Sequence, residues 1–167
     1  MTNCMIQEYK SEYKEELIRM ILAIQQEEYK IPISRENQPD LADIPEFYQK
    51  ANGNFWVALH SGNVVGTIGL IDIGNQQVAL RKMFVKAAYR GNQSGIARML
   101  LEKAVTWSAK HGVKFIFLGT TDKFKAAHRF YEKNGFIVME KRELPPEFPV
   151  MQVDTVFYRL AVNQEFI

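Results

Sequence analysis

Residues 83–101 read MFVKAAYRGNQSGIARMLL, and this stretch decides the fold. The apolar run at its start predicts the end of a β-strand, and apolar residues from Ile96 onward recur at helical spacing. The turn between the two elements contains Gly91 and Gly95. Glycines at a strand-to-helix turn let backbone N–H groups approach a ligand closely, and the helix N-terminus adds partial positive charge. The stretch therefore predicts a phosphate-binding turn.

The turn does not match two well-known nucleotide-binding motifs. It lacks the G-x-x-x-x-G-K-S/T pattern of nucleotide-hydrolysing P-loops and the G-x-G-x-x-G pattern of dinucleotide folds. These two classes of phosphate ligand are therefore disfavoured, which leaves a different kind of cofactor that carries a pyrophosphate. The alternative, that the glycines serve only a tight turn, also stays open on this stretch alone.

Patterns on either side predict a mixed sheet with helices. Three successive apolar runs separated by short Gly- and Asn-containing turns predict an antiparallel meander. The element order β-α-α-β-β-β-α-β-α-β-β places the chain in the α/β or α+β class. Predicted strands cover residues 5–9, 55–60, 64–73, 78–85, 114–119, 136–139 and 151–161, and predicted helices cover 12–29, 45–50, 94–111 and 122–133.

Composition narrows the classes of protein. A length of 167 residues predicts a single domain over residues 1–167. Lys and Arg number 21 against 19 Asp and Glu, so a net charge of +2 gives no indication of nucleic-acid binding. The single cysteine, Cys4, cannot form an internal disulfide or build a zinc site. No signal peptide or membrane span is evident, so we expect a cytoplasmic protein without a metal or a membrane partner.

A second motif lies on the last predicted helix, where residues 126–136 read AAHRFYEKNGF directly after a strand. Together with LRKMFVKAAYRG at residues 80–91 and GIA at 95–97, it resembles the GNAT superfamily of N-acetyltransferases. The resemblance implies a mixed central sheet of about seven strands flanked by about four helices. It also implies transfer of an acetyl group from acetyl-CoA to a primary amine, within a ternary complex and without a covalent enzyme intermediate.

The resemblance also implies roles for individual residues. The backbone of Met83, Phe84 and Val85 would pair with the pantetheine arm, and one amide there would polarise the thioester carbonyl. Tyr131 would protonate the departing thiolate, because a phenol with an unperturbed pKa of about 10 still carries its proton at neutral pH. The turn that would hold the pyrophosphate by backbone amides comprises Arg90, Gly91, Asn92, Gln93, Ser94, Gly95, Ile96 and Ala97.

Two departures from the family pattern affect the donor site. The turn is two residues longer than usual, which puts Asn92 where the family keeps Arg or Gln. Phe124 stands where many members carry an asparagine that contacts the cofactor. Two alternatives therefore stay open: a transferase that uses a different acyl donor, and an acyl-CoA-binding regulatory module without turnover.

The acceptor side carries no motif. We expect a small amine, an amino acid derivative or a peptide N-terminus, deprotonated by an acidic side chain or through water. A homodimer could form through residues 151–161 if that last strand lies at the sheet edge. The base candidates are Glu27, Glu28, Asp72 and Asp154. Glu36, Asp40 and Asp43 could attract a cationic amine, but a cluster of loop acids is more often a solvated face, and we interpret them as such.

Overall fold

The computed structural model describes residues 4–91 and 94–163 and contains one seven-stranded sheet. Its order is β1-β2-β3-β4-β5-β7-β6, and every neighbouring pair is antiparallel except β4 and β5. The predicted mixed sheet is confirmed. The strands are β1 (Cys4–Glu8), β2 (Asn54–His60), β3 (Asn63–Gly74), β4 (Gln77–Val85), β5 (Phe115–Thr120), β6 (Ile137–Met139) and β7 (Val156–Ala161).

The helices follow the predicted order with one addition, a short helix at Pro39–Ala42 that was not predicted, and with one change of type. The predicted helix over residues 12–29 forms, but its last part, Ala23–Glu28, is a π-helical stretch. None of the helices built from the described residues is long and apolar enough to cross a membrane. The α-helices are α1 (Lys14–Leu22), α2 (Pro39–Ala42), α3 (Ile44–Phe47), α4 (Ile96–Lys110) and α5 (Lys125–Lys133), and single 3-10 turns lie at Ser11–Tyr13, Ala87–Tyr89 and Lys141–Glu143.

Helices cover both faces of the first half of the sheet. Successive strand residues point to opposite faces, so Trp56 and Val57 on β2 belong to different core clusters. The Trp56 face packs against α4 through Leu100. The opposite face, with Val57, packs against α1 through Leu17. Because β2 is covered on both faces, its sequence is almost continuously apolar.

The sheet opens between β4 and β5. Three residue pairs join these parallel strands, from Gln77 with Phe115 to Ala79 with Phe117. Beyond that point β4 continues to Val85 and β5 to Thr120 without further pairing to each other. A gap therefore opens in the middle of the sheet, and the backbone of β4 borders it.

A bulge in β4 lies beside this gap. Lys82 and Met83 together oppose Ile68 on β3, and Lys82 has a φ of 55°. The carbonyl of Lys82 accepts a hydrogen bond of 2.7 Å from Thr67 Oγ1, which holds the bulge in place. A bulge interrupts the alternation of side chains along a strand. Consecutive residues Arg81 and Lys82 consequently both border the gap.

The last strand is shorter than predicted and does not lie at an edge. It begins at Val156, and it lies between β5 and β6, pairing antiparallel with both. The expectation that residues 151–161 form an edge strand was wrong, so a dimer cannot pair through the edge of this strand, while a homodimer by another route stays a prediction. Sequence periodicity shows that a segment is extended but does not encode its order in the sheet. The edge on this side is β6.

Candidate active site

A cavity of about 680 Å³ occupies the gap between β4 and β5. Its walls are the two strands, the start of α4, the helix α5, the π-helical stretch and the segment of residues 148–154. This volume lies within the range of small-molecule sites, about 300–1,000 Å³. In the ranges 4–91 and 94–163, no cluster of three or more His, Cys, Asp or Glu side chains is placed to hold a metal ion.

The predicted strand residues Met83, Phe84 and Val85 all line the cavity. They lie in the part of β4 that has parted from β5, so the backbone edge there faces the cavity rather than another strand. An exposed strand edge can pair with an extended ligand through main-chain hydrogen bonds. The arrangement thus offers fixed N–H and C=O groups to an elongated molecule.

The predicted turn leads from β4 to the N-terminus of α4. Gly91 and Gly95 have φ values of 103° and 68°, which favour glycine. Gly95 donates its amide hydrogen to the carbonyl of Gly91 over 3.3 Å, while the first-turn amides that begin at Ile96 have no carbonyl four residues earlier within the helix. These amides and the helix dipole favour an anion. Asn92 and Gln93 lie outside the described residues.

The other predicted turn residues divide into two groups. Gly91, Gly95 and Ala97 line the cavity. Ser94 and Ile96 support the turn instead: Ser94 Oγ donates to the carbonyl of Tyr89, and the Ile96 side chain is fully buried in the core. The side chains of this second group shape the turn, and a ligand would meet only their backbone.

Arg90 ties the end of β4 to the π-helical stretch. Its guanidinium forms an ion pair with Glu28, with 2.7 Å between Nη2 and Oε1, and its Nε donates to the carbonyl of Val85 over 2.7 Å. The guanidinium carbon also lies 5.8 Å from the centre of the Tyr29 ring. The hydrogen bond to Arg90 lowers the pKa of Glu28. Glu28 is therefore engaged in an ion pair and is not free to act as a base.

Three basic side chains that the sequence analysis did not single out also border the cavity. Arg98 lies on the first turn of α4, and Arg129 and Lys133 lie on α5. Arg98 pairs with Glu102 on its own helix over 3.2 Å. Together with the α4 N-terminus, these side chains give this end of the cavity positive potential.

Tyr131 reaches the cavity from α5. Its side chain is 6% exposed and packs against Phe130, Phe136 and Tyr158, with ring centres 5.5–5.9 Å away. Its hydroxyl forms no hydrogen bond with any residue that the structure describes. Burial, with a smaller contribution from Tyr158, raises the pKa of Tyr131 well above its ordinary value of 10.0. The phenol is therefore a neutral donor at physiological pH.

Phe124 contributes an apolar contact at the position where a polar residue was expected. It precedes the first residue of α5, and its ring meets Tyr29 edge-on at 4.6 Å and Phe84 edge-on at 6.3 Å. This aromatic cluster joins α5, β4 and the π-helical stretch across the cavity. The side chain cannot replace the hydrogen bonds of an asparagine.

Asp40 is buried, which differs from the solvated position that we expected for the loop acids. It was interpreted as part of a solvated face, but it is 4% exposed and forms an ion pair with Lys82 over 3.2 Å. Tyr48 donates a hydrogen bond of 2.5 Å to the same carboxylate. The contact spans distant parts of the chain, and no local pattern indicates it.

The remaining base candidates differ in their surroundings. Glu27 is exposed and lies outside the cavity wall, and Asp72 accepts hydrogen bonds from the amides of Asn52 and Gly74. Asp154 lines the cavity, where its Oδ2 accepts a hydrogen bond of 2.9 Å from the amide of Met151. Burial raises the pKa of Asp154 above its ordinary value of 3.8. Of the four candidates, Asp154 is the one placed to meet an acceptor.

Comparison with known proteins agrees with this geometry. The chain is 35% identical over 131 residues to the N-acetylaspartate synthetase of Xenopus tropicalis, covering 75% of this chain and 47% of that protein. It thus spans about half the length of that relative.

Solved structures share the architecture. An acetyltransferase of the GNAT family from Staphylococcus aureus MU50 superposes with a TM-score of 0.92 at 43% identity, covering 96% of this chain and 99% of the other. An N-acetyltransferase from Thermoplasma acidophilum, in complex with coenzyme A, shares the fold with a TM-score of 0.74 at 19% identity, covering 95% and 99%. The model of the acetyltransferase (GNAT) family matches residues 18–136, and with it the resemblance drawn from the two motifs is confirmed: the chain belongs to the GNAT family.

Proposed function

We propose that the protein is an N-acetyltransferase that moves an acetyl group from acetyl-CoA to the primary amine of a small acceptor. One observation carries the proposal: the unpaired edge of β4, the N-terminus of α4 and the protonated phenol of Tyr131 border the same cavity. We also propose that residues 1–167 act as one catalytic domain, since all seven strands belong to one sheet.

The shape and charge of the cavity fit the donor. A pantetheine arm is elongated and carries amide groups, which suits pairing with the backbone of Met83, Phe84 and Val85. The turn from Gly91 to the first residues of α4 suits a pyrophosphate, and Arg129 and Lys133 add positive charge nearby. The structure of a protein that shares the fold contains coenzyme A, which supports acetyl-CoA as the donor.

The reaction follows from these positions. The acceptor nitrogen attacks the thioester carbonyl carbon, so a C–N bond forms as the C–S bond breaks. A backbone amide of β4 would stabilise the negative charge that develops on the carbonyl oxygen, because a fixed donor needs no reorganisation. The acceptor ammonium gives up two protons in all, the leaving sulfur takes one, and one proton is released overall.

The raised pKa of Tyr131 refines its role. A phenol whose pKa lies above 10 transfers its proton to an ordinary thiolate, with a pKa of about 8.5, only uphill. Apolar surroundings also raise the pKa of a thiol. The pKa difference between the Tyr131 phenol and the thiol of coenzyme A is therefore smaller when the sulfur leaves inside the cavity. We therefore propose that Tyr131 first donates a hydrogen bond to the departing sulfur and completes the transfer as the C–S bond breaks.

Two points of the proposal extend beyond the family assignment. The name of the Xenopus relative, a synthetase of N-acetylaspartate, supports an amino acid among the acceptor classes considered. The neutral hydroxyl of Tyr131 in the cavity favours turnover over an acyl-CoA-binding module, which has no use for a proton donor at the sulfur.

Calorimetric titration of the purified protein with acetyl-CoA, followed by a thiol-release assay with a panel of amines, tests the proposal. We expect saturable 1:1 binding and thiol release that depends on the amine. Succinyl-CoA and butyryl-CoA serve as matched alternative donors, and they test whether the protein transfers an acyl group other than acetyl. An absence of binding at millimolar acetyl-CoA would contradict the donor site, and binding without any amine-dependent release would support the regulatory alternative.

A further inference from the structure

One end of the cavity carries charges that the acetyl donor does not explain. It lies between the π-helical stretch, the β4 bulge and the segment of residues 148–154. Among the described residues, the charged side chains that line this end are Arg81, Lys82 and Asp154. Lys82 is already neutralised by the buried carboxylate of Asp40, 3.2 Å away. Arg81 and Asp154 remain to meet a ligand.

The guanidinium of Arg81 has a weak partner. Its Nη2 contacts Met151 Sδ at 3.1 Å, and it forms no ion pair with any carboxylate of the described residues. A thioether is a weak acceptor, whereas a guanidinium presents five N–H donors in a fixed plane. A carboxylate would accept two of them in parallel, the arrangement that guanidinium groups favour. Met151 therefore orients the guanidinium of Arg81 without satisfying its hydrogen-bond donors.

Asp154 is held by the same residue. Its Oδ2 accepts the amide hydrogen of Met151 over 2.9 Å, and its Oδ1 is paired with none of the described residues. The carboxylate rests on the backbone of Gly119, where an added Cβ would lie 2.7 Å from Oδ2. The charged groups that act on it are Arg81 and Lys82. Asp154 thus presents a free carboxylate oxygen at the wall of the cavity.

We infer that the acceptor is an amino acid, bound as a zwitterion, with its carboxylate on Arg81 and its ammonium on Asp154. The inference rests on the proposed function and deepens it, since it names the substrate class. Asp154 accepts one proton from the ammonium, and the free amine then attacks the thioester carbon. The second proton leaves the nitrogen as the C–S bond breaks and, through solvent, replaces the proton that Tyr131 gives to sulfur. Asp154 then releases its proton to solvent. The net result is one proton released per turnover.

Charge argues against a polycationic acceptor. A polyamine would bring a second ammonium group toward the guanidinium of Arg81, where like charges repel. An amine without a charged group would leave the guanidinium of Arg81 with the Met151 sulfur alone. A zwitterion matches one cation and one anion with opposite charges, so it satisfies both side chains at once.

The test compares each amino acid with the amine that lacks its carboxylate. Aspartate, glutamate, leucine and phenylalanine serve as acceptors, with isoamylamine and phenethylamine as the decarboxylated partners of the last two. We expect kcat/KM to be at least 10-fold higher for an amino acid than for its amine. Arg81→Gln should raise KM for the amino acid at least 10-fold with little change in kcat, and should leave the amine unaffected.

Two further variants separate binding from folding. Arg81→Lys keeps the charge and should restore part of the lost affinity, and Arg142→Gln is a matched control because Arg142 is exposed and pairs with Glu140 outside the cavity. Asp154→Asn should lower kcat for amino acids while retaining acetyl-CoA binding. Its residual rate should rise with pH as the free amine becomes more abundant, a change that a purely structural role would not produce.

The outcomes are distinguishable. Equal effects of Arg81→Gln on amino acids and amines, or a wild-type preference for amines, overturn the inference and leave the acetyltransferase proposal standing. A lack of transfer to every acceptor, together with a lack of acetyl-CoA binding, overturns both. Loss of fold in Arg81→Gln, detected by circular dichroism, shifts the decision to the substrate pairs on the wild-type protein.

Discussion

Lys82 Nζ lies 3.2 Å from Asp40 Oδ2, and both side chains are almost fully buried. Burial lowers the pKa of Lys82 to about 8, even though Asp40 partly offsets the effect. For Asp40, burial acts in the opposite direction, but the charges of Lys82 and Arg81 and the hydrogen bond from Tyr48 bring its pKa below the ordinary value. The pair fastens α2 to the β4 bulge beside the cavity.

Replacing Asp40 tests how far the fold depends on this pair. Asp40→Asn leaves the ammonium of Lys82 buried without a counter-charge, so we expect the free energy of unfolding to fall by about 3–5 kcal/mol. Urea denaturation followed by circular dichroism measures the change. Glu36→Gln is the control, since Glu36 is exposed, and it should leave stability nearly unchanged. A small loss in Asp40→Asn would show that Lys82 deprotonates or reaches water at little cost.

The pKa of Lys82 also predicts a pH dependence of stability. The folded-state pKa of about 8 lies below the ordinary value of 10.5, so the unfolded chain binds more protons between these two values. The free energy of unfolding should therefore rise with pH over that window, by at most about 1.4 kcal/mol per pH unit from this group. Lys82→Met removes the contribution. Urea titrations of both proteins from pH 7 to 10.5 measure the difference, and parallel curves would contradict the prediction.

Tyr131→Phe should separate donor binding from turnover. The hydroxyl is lost while the ring keeps its packing, so we expect unchanged acetyl-CoA affinity and a kcat lower by about 10²-fold. Calorimetry and thiol release give the two quantities. Tyr13→Phe is the control, because its hydroxyl donates to Gln7 and lies away from the cavity wall. Equal losses of affinity and turnover would contradict the role of Tyr131 as proton donor to the sulfur.

Arg129→Gln should weaken donor binding through charge alone. Arg129 is exposed on α5 at the end of the cavity where we place the phosphates, so its contribution is screened by salt. We expect a loss of about 2- to 5-fold in acetyl-CoA affinity at low salt, corresponding to roughly 0.4–1 kcal/mol. The loss should shrink as salt is added. Arg142→Gln provides the matched control on a surface outside the cavity.

Gly119→Ala should act on catalysis through Asp154. The new methyl group would lie 2.7 Å from Asp154 Oδ2 and 3.0 Å from the Phe157 ring, so the carboxylate must move. We expect kcat for an amino acid acceptor to fall at least 10-fold. In a double-mutant cycle with Asp154→Ala, the glycine substitution should add little, because the group that it displaces is absent. Additive losses would indicate damage elsewhere in β5.

Local patterns predicted most of the elements. The hairpin turn at residues 61–63 joins β2 and β3 as expected, and α4 ends one residue before its predicted end at His111. These features depend on neighbouring residues, which turn chemistry and helical spacing report well. Met83, Phe84 and Val85 line one cavity because they follow one another along a strand, and their contact with the donor stays a prediction.

Long-range contacts account for what the sequence did not show. Alternation predicted β4 as a regular strand, so the bulge that turns Arg81 and Lys82 to the same cavity was missed. Asp40 looked like a loop acid because its partner lies on another element. The position of β7 between β5 and β6 depends on pairing partners distant in sequence. The sequence offered Asp154 as one of four candidate bases, and only the folded structure distinguishes it from the other three, because it lines the cavity.

The seam between β4 and β5 has a consequence for the whole molecule. At the seam, three residue pairs join β4 to β5, between a half that contains β1–β4, packed on α1 and α4, and a half that contains β5–β7, packed on α5. One buried core cluster, with Val78 and Ile116 among its members, continues across the seam. A molecule lying in the seam would touch both halves and act as a cross-link between them. Because it would bind the folded chain alone, it would add about 2.7 kcal/mol to the free energy of unfolding at a concentration 100 times its Kd. The donor would then stabilise the folded state as well as take part in the reaction.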